Sequence, residues 1–293
     1  MTPPALGPPL LECVVNVSEG RRHAVVEAIR NAARAAAVLD VHSDLDHNRS
    51  VLTLAAERGP LVDAVVELSR RAVELVDLRS HAGRHPRLGV VDVVPFVPVR
   101  SATMQDAVAA ALECARRLWE ELGLPSFLYE NAAPATHSPS LPAIRAAAFD
   151  PILPDVGGPA PHPTAGVAVV GARPALVAFN VNLRSPDPAV ARRIAARVRE
   201  RDGGLPHVRA LGLFLASAGI TQVSMNLVRP EATTMAAAFD AVCAAARSEA
   251  TAVLGAELVG LCPRAALGDQ EPAALGLRSP PKILEEELER AFG

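Results

Sequence analysis

The chain has almost no lysine: Lys282, near the C-terminus, is the only one among 293 residues. Schiff-base chemistry on a core lysine is thereby nearly excluded. No uncharged apolar run approaches the ~18 residues that cross a bilayer, and Met1-Thr2-Pro3-Pro4-Ala5-Leu6-Gly7-Pro8-Pro9 lacks a basic segment followed by an apolar one. These two absences predict a cytoplasmic enzyme with no membrane partner. The cysteines Cys13, Cys114, Cys243 and Cys262 are far apart and form no C-x-x-C pair, so neither a disulfide framework nor a zinc–cysteine site is expected. Three of them fall in apolar segments, where cysteine serves as a small buried hydrophobe. Asn16-Val17-Ser18 and Asn48-Arg49-Ser50 match the glycosylation pattern, which is idle without a secretion signal. A net charge of −3 gives no basic stripe for nucleic acid. An anionic ligand must be held by local charges, and those are arginines.

Half of the residues are apolar and 21% are charged, the balance of a folded globular protein. The length suits two compact units. Leu10 to Val17 reads as a strand, and Val25, Val26, Ile29, Ala32 and Ala33 recur at helical spacing. Val38 to Val41 and Val51 to Ala55 read as strands joined by the polar segment 42–49. A helix from Pro60 to Val76 and a strand from Val90 to Val99 complete the order βαββαβ. A helix over Asp106 to Glu121 and a strand over Phe127 to Tyr129 follow. The Pro- and Gly-rich stretch from Pro134 to Pro163 breaks regular structure, apart from a short helix around Ala143 to Ala148, and is the candidate linker. Beyond it, strands at Val167 to Val170, Ala175 to Val181, Val208 to Leu215, Ile220 to Leu227 and Ala252 to Val259 alternate with helices at Pro188 to Arg199 and around Met235 to Val242. The predicted fold class is α/β (α+β): two ferredoxin-like βαββαβ-type subdomains with mixed sheets and a ligand cleft between them. The boundaries are 1–173 and 174–293.

Three constellations invite chemistry. His81 and His85 are four apart, a spacing that on a helix presents two imidazoles to one metal, but Gly83 and Pro86 argue against a helix. In a loop shaped by glycine and proline, His85 is placed either as an exposed proton carrier or as a plain loop histidine capping backbone groups. Asp44-Leu45-Asp46-His47-Asn48 opens like a calcium loop, yet Arg49 stands where glycine is required and Ala55 where a glutamate is required. It reads equally as a strand connection and as a substrate-facing loop. Gly166-Val167-Ala168-Val169-Val170-Gly171-Ala172-Arg173 has the glycine spacing of a phosphate loop without its Lys and Ser or Thr. With no G-x-G-x-x-G after a strand and no G-x-S-x-G, dinucleotide redox chemistry and serine hydrolysis lose their markers.

Taken together, several segments resemble the formiminotransferase domain family. They are Glu12-Cys13-Val14-Val15-Asn16-Val17-Ser18-Glu19-Gly20-Arg21, Asp46-His47-Asn48-Arg49-Ser50-Val51, Gly83-Arg84-His85-Pro86-Arg87-Leu88-Gly89 leading into Asp92-Val93-Val94-Pro95-Phe96-Val97-Pro98-Val99, and Leu141-Pro142-Ala143-Ile144-Arg145. Gly171-Ala172-Arg173, Ala178-Phe179-Asn180-Val181-Asn182-Leu183, Gln222-Val223-Ser224-Met225-Asn226-Leu227 and Glu257-Leu258-Val259-Gly260-Leu261-Cys262-Pro263 continue it. Their order and spread over most of the chain make the resemblance specific.

The resemblance implies a one-carbon transferase: a glutamate formimidoyltransferase, carrying the formimino group from N-formimino-L-glutamate to N5 of tetrahydrofolate in histidine degradation. It implies His85 as the catalytic residue, with Arg84 standing where the family has glutamate. That departure keeps open a folate enzyme acting on 5-formyltetrahydrofolate, or a non-catalytic folate-binding protein. Carboxylates on both substrates call for forked cations, so Arg49, Arg87 and Arg145 are the substrate-binding candidates, with the neighbouring Asn48 counted among them as a neutral substrate-binding residue. The family's folate segment maps onto Gly157-Gly158-Pro159-Ala160-Pro161-His162-Pro163-Thr164-Ala165-Gly166. It lacks an aromatic residue here, so Phe179 or Tyr129 would stack on the pterin. Tetrahydrofolate is the implied co-substrate, and no metal is implied. A homodimer and a separate cyclodeaminase complete the expectation, since the chain ends soon after Ile283-Leu284-Glu285-Glu286-Glu287.

Overall fold

Along the first apolar run, Leu11, Cys13, Val15 and Val17 alternate with Glu12, Val14 and Asn16, so one side of a strand is apolar and the other carries polar groups. In the computed structural model, which describes residues 7–83, 86–267 and 270–293, this run is β1 (Leu10–Val17). His85 and Arg84 lie outside the described residues. The chain divides into two units, Met1–Pro174 and Ala175–Gly293.

In the first unit β1 is followed by α1 (His23–Arg30), β2 (Ala37–Asp44), β3 (Arg49–Ala56), α2 (Arg58–Leu75) and β4 (Val91–Val99). To this βαββαβ set are added α3 (Met104–Leu122), β5 (Ser126–Glu130), α4 (Leu141–Ala147) and β6 (Ala168–Ala172). The sheet runs β2-β3-β1-β4-β6-β5. It is antiparallel from β2 to β4, then parallel at β4–β6 and β6–β5. The first four strands in that order are the split βαβ pattern, and β6 and β5 extend it. The apolar side of β1 packs with Leu54, Leu61, Val65, Phe96, Ala111 and Leu118 into the main core. Each fully buried Leu or Phe there contributes about 1.5–3 kcal/mol. α3 starts at a capping box between Thr103 and Asp106 and stops at Gly123 in the left-handed region.

Two differences from the sequence reading concern polar stretches. The β2–β3 hairpin is tighter than the polar segment suggested: Asp44 pairs with Arg49 and Ser43 with Ser50. The two serine hydroxyls share a 2.8 Å hydrogen bond, so these polar residues extend the ladder rather than end it. The stretch 134–163 is not a linker but part of the first unit. Ile144 of α4 is fully buried against Phe127, Val93 and Val169 on the sheet face away from α2 and α3, and the Glu130 amide donates to the Pro139 carbonyl.

The same stretch is held by His137. Its Nε2 lies 2.9 Å from Asp155 Oδ2 and its Nδ1 2.9 Å from the Ser138 carbonyl, so two acceptors face one ring and both are satisfied only by imidazolium. Burial alone would depress the imidazole. The Asp155 hydrogen bond, the Ser138 carbonyl and the Asp155 charge outweigh it and hold the group above its usual range. A folded-state value above the unfolded one means the contribution is complete below the unfolded value of about 6.5 and fades as pH rises through the folded one. Urea unfolding across that window should show stability falling with rising pH. His137→Asn should flatten the slope, and an unchanged slope would refute the assignment.

The second unit repeats the order: β7 (Val177–Leu183), α5 (Pro188–Val198), β8 (Val208–Leu215), β9 (Ile220–Leu227), α6 (Met235–Ser248) and β10 (Val253–Val259), followed by α7 (Arg264–Leu267) and α8 (Leu284–Phe292). Its sheet runs β10-β7-β9-β8 and is antiparallel throughout, whereas the mixed pairing belongs to the first sheet. Phe179, Val223 and Met225 pack with Ile194, Met235 and Val242. Among the described residues no helix is long and apolar enough to cross a membrane.

Candidate functional site

The end of β1, the starts of β3 and β4, and α4 together carry an unusual charge arrangement. Asp92, second residue of β4, is fully buried. Its Oδ2 accepts from Arg49 Nη1 at 2.9 Å and from Arg145 Nη2 at 2.6 Å. Its Oδ1 accepts from the Leu88 amide at 2.7 Å. Arg49, which opens β3, also donates twice to Asn16 Oδ1 on β1, at 3.0 and 2.5 Å. A register shift in β1 falls at this point, between Asn16 and Val17. Arg145 arrives from α4 because Leu141 and Ile144 of that helix pack on the sheet, and its Nε is buried without a hydrogen-bond partner among the described residues.

Arg87 stands beside this cluster. Its Nη2 donates to the His47 carbonyl at 2.8 Å, and its Nη1 to the Asn48 carbonyl at 3.2 Å. Burial lowers the Arg49 guanidinium to about 10, against the opposing pull of Asp92, with Arg145 and Arg87 adding repulsion. Arg87 is lowered in the same way, first by burial, with Asp92 opposing and Arg21 and Arg145 repelling. Three cations thus share the field of one buried carboxylate. These guanidiniums are partly out of water, and their forked donors have the chemistry to meet an anion.

Asn48, at φ +48 in the hairpin turn, ties three loops together. Its Oδ1 accepts from the Gly20 amide at 3.0 Å and its Nδ2 donates to the Ala82 carbonyl at 2.9 Å. Its amide therefore holds the loop entering Gly83. A Cβ at Gly83 would lie 2.2 Å from the His47 carbonyl and 2.3 Å from Arg87 Nη2, so the chain passes here only as glycine. Glu19 fixes the loop after β1. Burial would raise its carboxyl, but the Arg22 and Arg21 amides and the Arg22 guanidinium hold it below its usual range.

The segment Gly157 to Gly166 runs from α3 to the arginine cluster. At its far end His162 and Gly166 exchange backbone hydrogen bonds, and the His162 Nδ1 accepts from the Ala165 amide at 3.0 Å. The Val167 and Val90 amides donate to Leu88 and Ala165, which lays this end beside Leu88 and Asp92. At its near end Gly157, at φ +102, lies on the Trp119 indole, where a Cβ would come within 2.8 Å of the ring. The aromatic missing from the segment thus stands next to it, on α3, and is 40% exposed. Neither of the two expected stacking residues presents a face: Phe179 is fully buried beside Phe239 at a 6.3 Å centroid separation, and Tyr129 is 3% exposed against Gly171.

The structure therefore brings Asn48, Arg49, Arg87, Arg145 and the Ala165–Gly166 end of the glycine segment together. Sequence reasoning missed Asp92, Asn16, His81 and Trp119 as partners. The available signal for Asp92 was a carboxylate heading an otherwise apolar strand, since such a group is buried only when paired.

Residues 10–173 match the family described as Formiminotransferase domain, N-terminal subdomain, and residues 178–272 match Formiminotransferase domain. The glutamate formimidoyltransferase of Streptococcus pyogenes serotype M1 is 38% identical over 272 residues, covering 89% of this chain and 91% of that protein. That of Thermoplasma acidophilum is 37% identical over 298 residues, covering 96% and 98%. The formimidoyltransferase-cyclodeaminase of Sus scrofa is 39% identical over 278 residues, covering 89% of this chain and 51% of that longer protein.

Proposed function

Since the chain belongs to the formiminotransferase domain family, we propose that it acts as a glutamate formimidoyltransferase, moving the formimino group of N-formimino-L-glutamate to N5 of tetrahydrofolate. The observation that carries the site reading is the gathering of Arg49, Arg87 and Arg145 around the buried Asp92, together with the Nε of Arg145, which has no hydrogen-bond partner among the described residues. A donor with two carboxylates and a folate tail with more are ligands that forked cations recognise. Arg49, Arg87 and Arg145 are assigned to those carboxylates, with Asn48 holding the loop that aims Arg87. The segment Gly157 to Gly166 is assigned to the pterin, with Trp119 as the neighbouring ring.

Tetrahydrofolate supplies the secondary amine that takes the formimino carbon. The C–N bond to glutamate breaks as the bond to that amine forms, so one proton must leave the attacking nitrogen and one must reach the departing nitrogen. His85, by its place in the motif, is assigned both transfers, because an imidazole populates both protonation states near neutral pH. Holding two substrates side by side supplies much of the acceleration. In this reading residues 1–173 carry the catalytic histidine and the anion cluster, and residues 174–293 complete the domain. The resemblance also makes a cytoplasmic homodimer the form of the enzyme to test.

Purified protein given formiminoglutamate and tetrahydrofolate should generate the formimino or methenyl product, followed by its absorbance. A parallel reaction with 5-formyltetrahydrofolate is worth running because Arg84 stands where the family has glutamate. Turnover of that compound alone would reassign the donor, and turnover of neither would leave a binding protein.

A further inference from the structure

His81 has a place in the anion site that the transfer chemistry above does not use. Arg87 Nη1 lies 2.5 Å from His81 Nδ1 and 3.2 Å from Nε2. A guanidinium has only donors, so the ring nitrogen it meets must offer a lone pair, and imidazolium has none. We infer that His81 is a positioning residue for carboxylate capture: its unprotonated imidazole closes a clamp that holds the Arg87 guanidinium against the His47 and Asn48 carbonyls. This rests on the reading of the arginine cluster as the substrate-carboxylate site.

The clamp has further walls. The His47 and Asn48 carbonyls take the two Nη groups, and Gly83 leaves no room on its side. The Ala82 carbonyl is tied to Asn48, so the segment carrying His81 cannot drift from the turn without breaking that bond. A cation as long as arginine pays rotamer entropy to wait in one orientation, and the imidazole acceptor reduces that cost on binding. The groups facing the ring favour the neutral form on balance. Burial comes first and the Arg87 charge second, with Arg21 adding to them, while Glu19 and the Asn48 carbonyl pull the other way. The net result is an imidazole below its usual value. Acidification past that point adds a second N–H, turns the acceptor into a donor and releases Arg87. A lone pair spent on Arg87 is also not free to take a proton from substrate, which separates the role of His81 from that assigned to His85.

The experiment compares the full chain with His81→Gln, which keeps an uncharged acceptor, and His81→Leu, which keeps bulk without one. Calorimetric binding of glutarate, a plain dicarboxylate, is measured from mildly acidic to mildly alkaline pH, alongside KM and kcat for formiminoglutamate. Urea unfolding confirms that the variants fold. The wild-type protein should bind glutarate less tightly on the acid side. His81→Gln should bind within a few fold of wild type and lose that acid limb. His81→Leu should bind about 10- to 100-fold more weakly than wild type at neutral and mildly alkaline pH, the loss expected for a hydrogen bond to a charged group, and should approach wild type on the acid side, with KM raised and kcat little changed. Wild-type affinity in His81→Leu at neutral and mildly alkaline pH, or an acid limb that survives in His81→Gln, overturns the inference while leaving the carboxylate site intact. No glutarate binding by wild-type protein overturns both.

Discussion

Replacing His85 by asparagine is expected to lower turnover by about 10²- to 10⁴-fold, the usual worth of a positioned general acid–base, with folate affinity changed by no more than a few fold. Asparagine keeps a hydrogen-bonding side chain of similar reach but cannot exchange a proton near neutral pH. The loss should therefore appear in kcat and in kcat/KM alike, the mark of an interaction made in the transition state. The inflection of the pH–rate profile that the imidazole causes should vanish with it. Gly83 and Arg87 are both packed at the His47–Asn48 turn. Full turnover in His85→Asn would send the search for the proton carrier to His42 and His47. Loss of folate binding along with turnover would make the histidine a binding group instead.

Asp92→Asn is expected to destabilise the protein by about 3–5 kcal/mol, because removing one partner of a buried ion pair leaves the other charges uncompensated. The change is nearly isosteric, and the remaining amide oxygen can still accept from the Leu88 amide. What disappears is the counter-charge for Arg49 and Arg145, whose side chains are only 13% and 16% exposed. The urea midpoint should fall by the corresponding amount with its slope unchanged. Added glutarate or phosphate should restore part of the loss by mass action, since an anion bound among the three guanidiniums then takes the place of the missing carboxylate. A midpoint equal to that of wild type would show that Asp92 is not the keystone of the cluster.

Most of the fold was legible because it is local. Alternation and helical spacing placed β8 and β9 at their observed ends, Val208–Leu215 and Ile220–Leu227, since each residue's facing is decided by its near neighbours. The hairpin between β2 and β3 was harder, because Ser43, Asp44, Arg49 and Ser50 carry the composition of a loop. Only the cross-strand serine pair and the Asp44–Arg49 pairing reveal that they continue the ladder. The stretch 134–163 misled for a related reason. Proline and glycine mark turns, and turns occur within packed units as well as between them, so composition could not show Ile144 entering the core. In the site, the arginines were found by chemistry, through the charge the expected ligands carry. Asp92 was not, since its partners lie 43 and 53 residues away in sequence, and no spacing rule reaches that far. Trp119 escaped in the same way: it stands on α3 while the glycines that rest on it follow Asp155 and Val156.

The extension of the first sheet by β6 and β5 gives the two halves of this chain unequal equipment. Each half owns the same four-stranded chassis, but Arg145 and the glycine-rich run both ride on the stretch between β4 and β6, which has no counterpart among the described residues of the second half. The charge cluster around Asp92 is therefore a joint product, with Arg49 and Asp92 contributed by the shared scaffold and Arg145 by its appendage. A half without that appendage can imitate the scaffold and still be unable to complete the cluster.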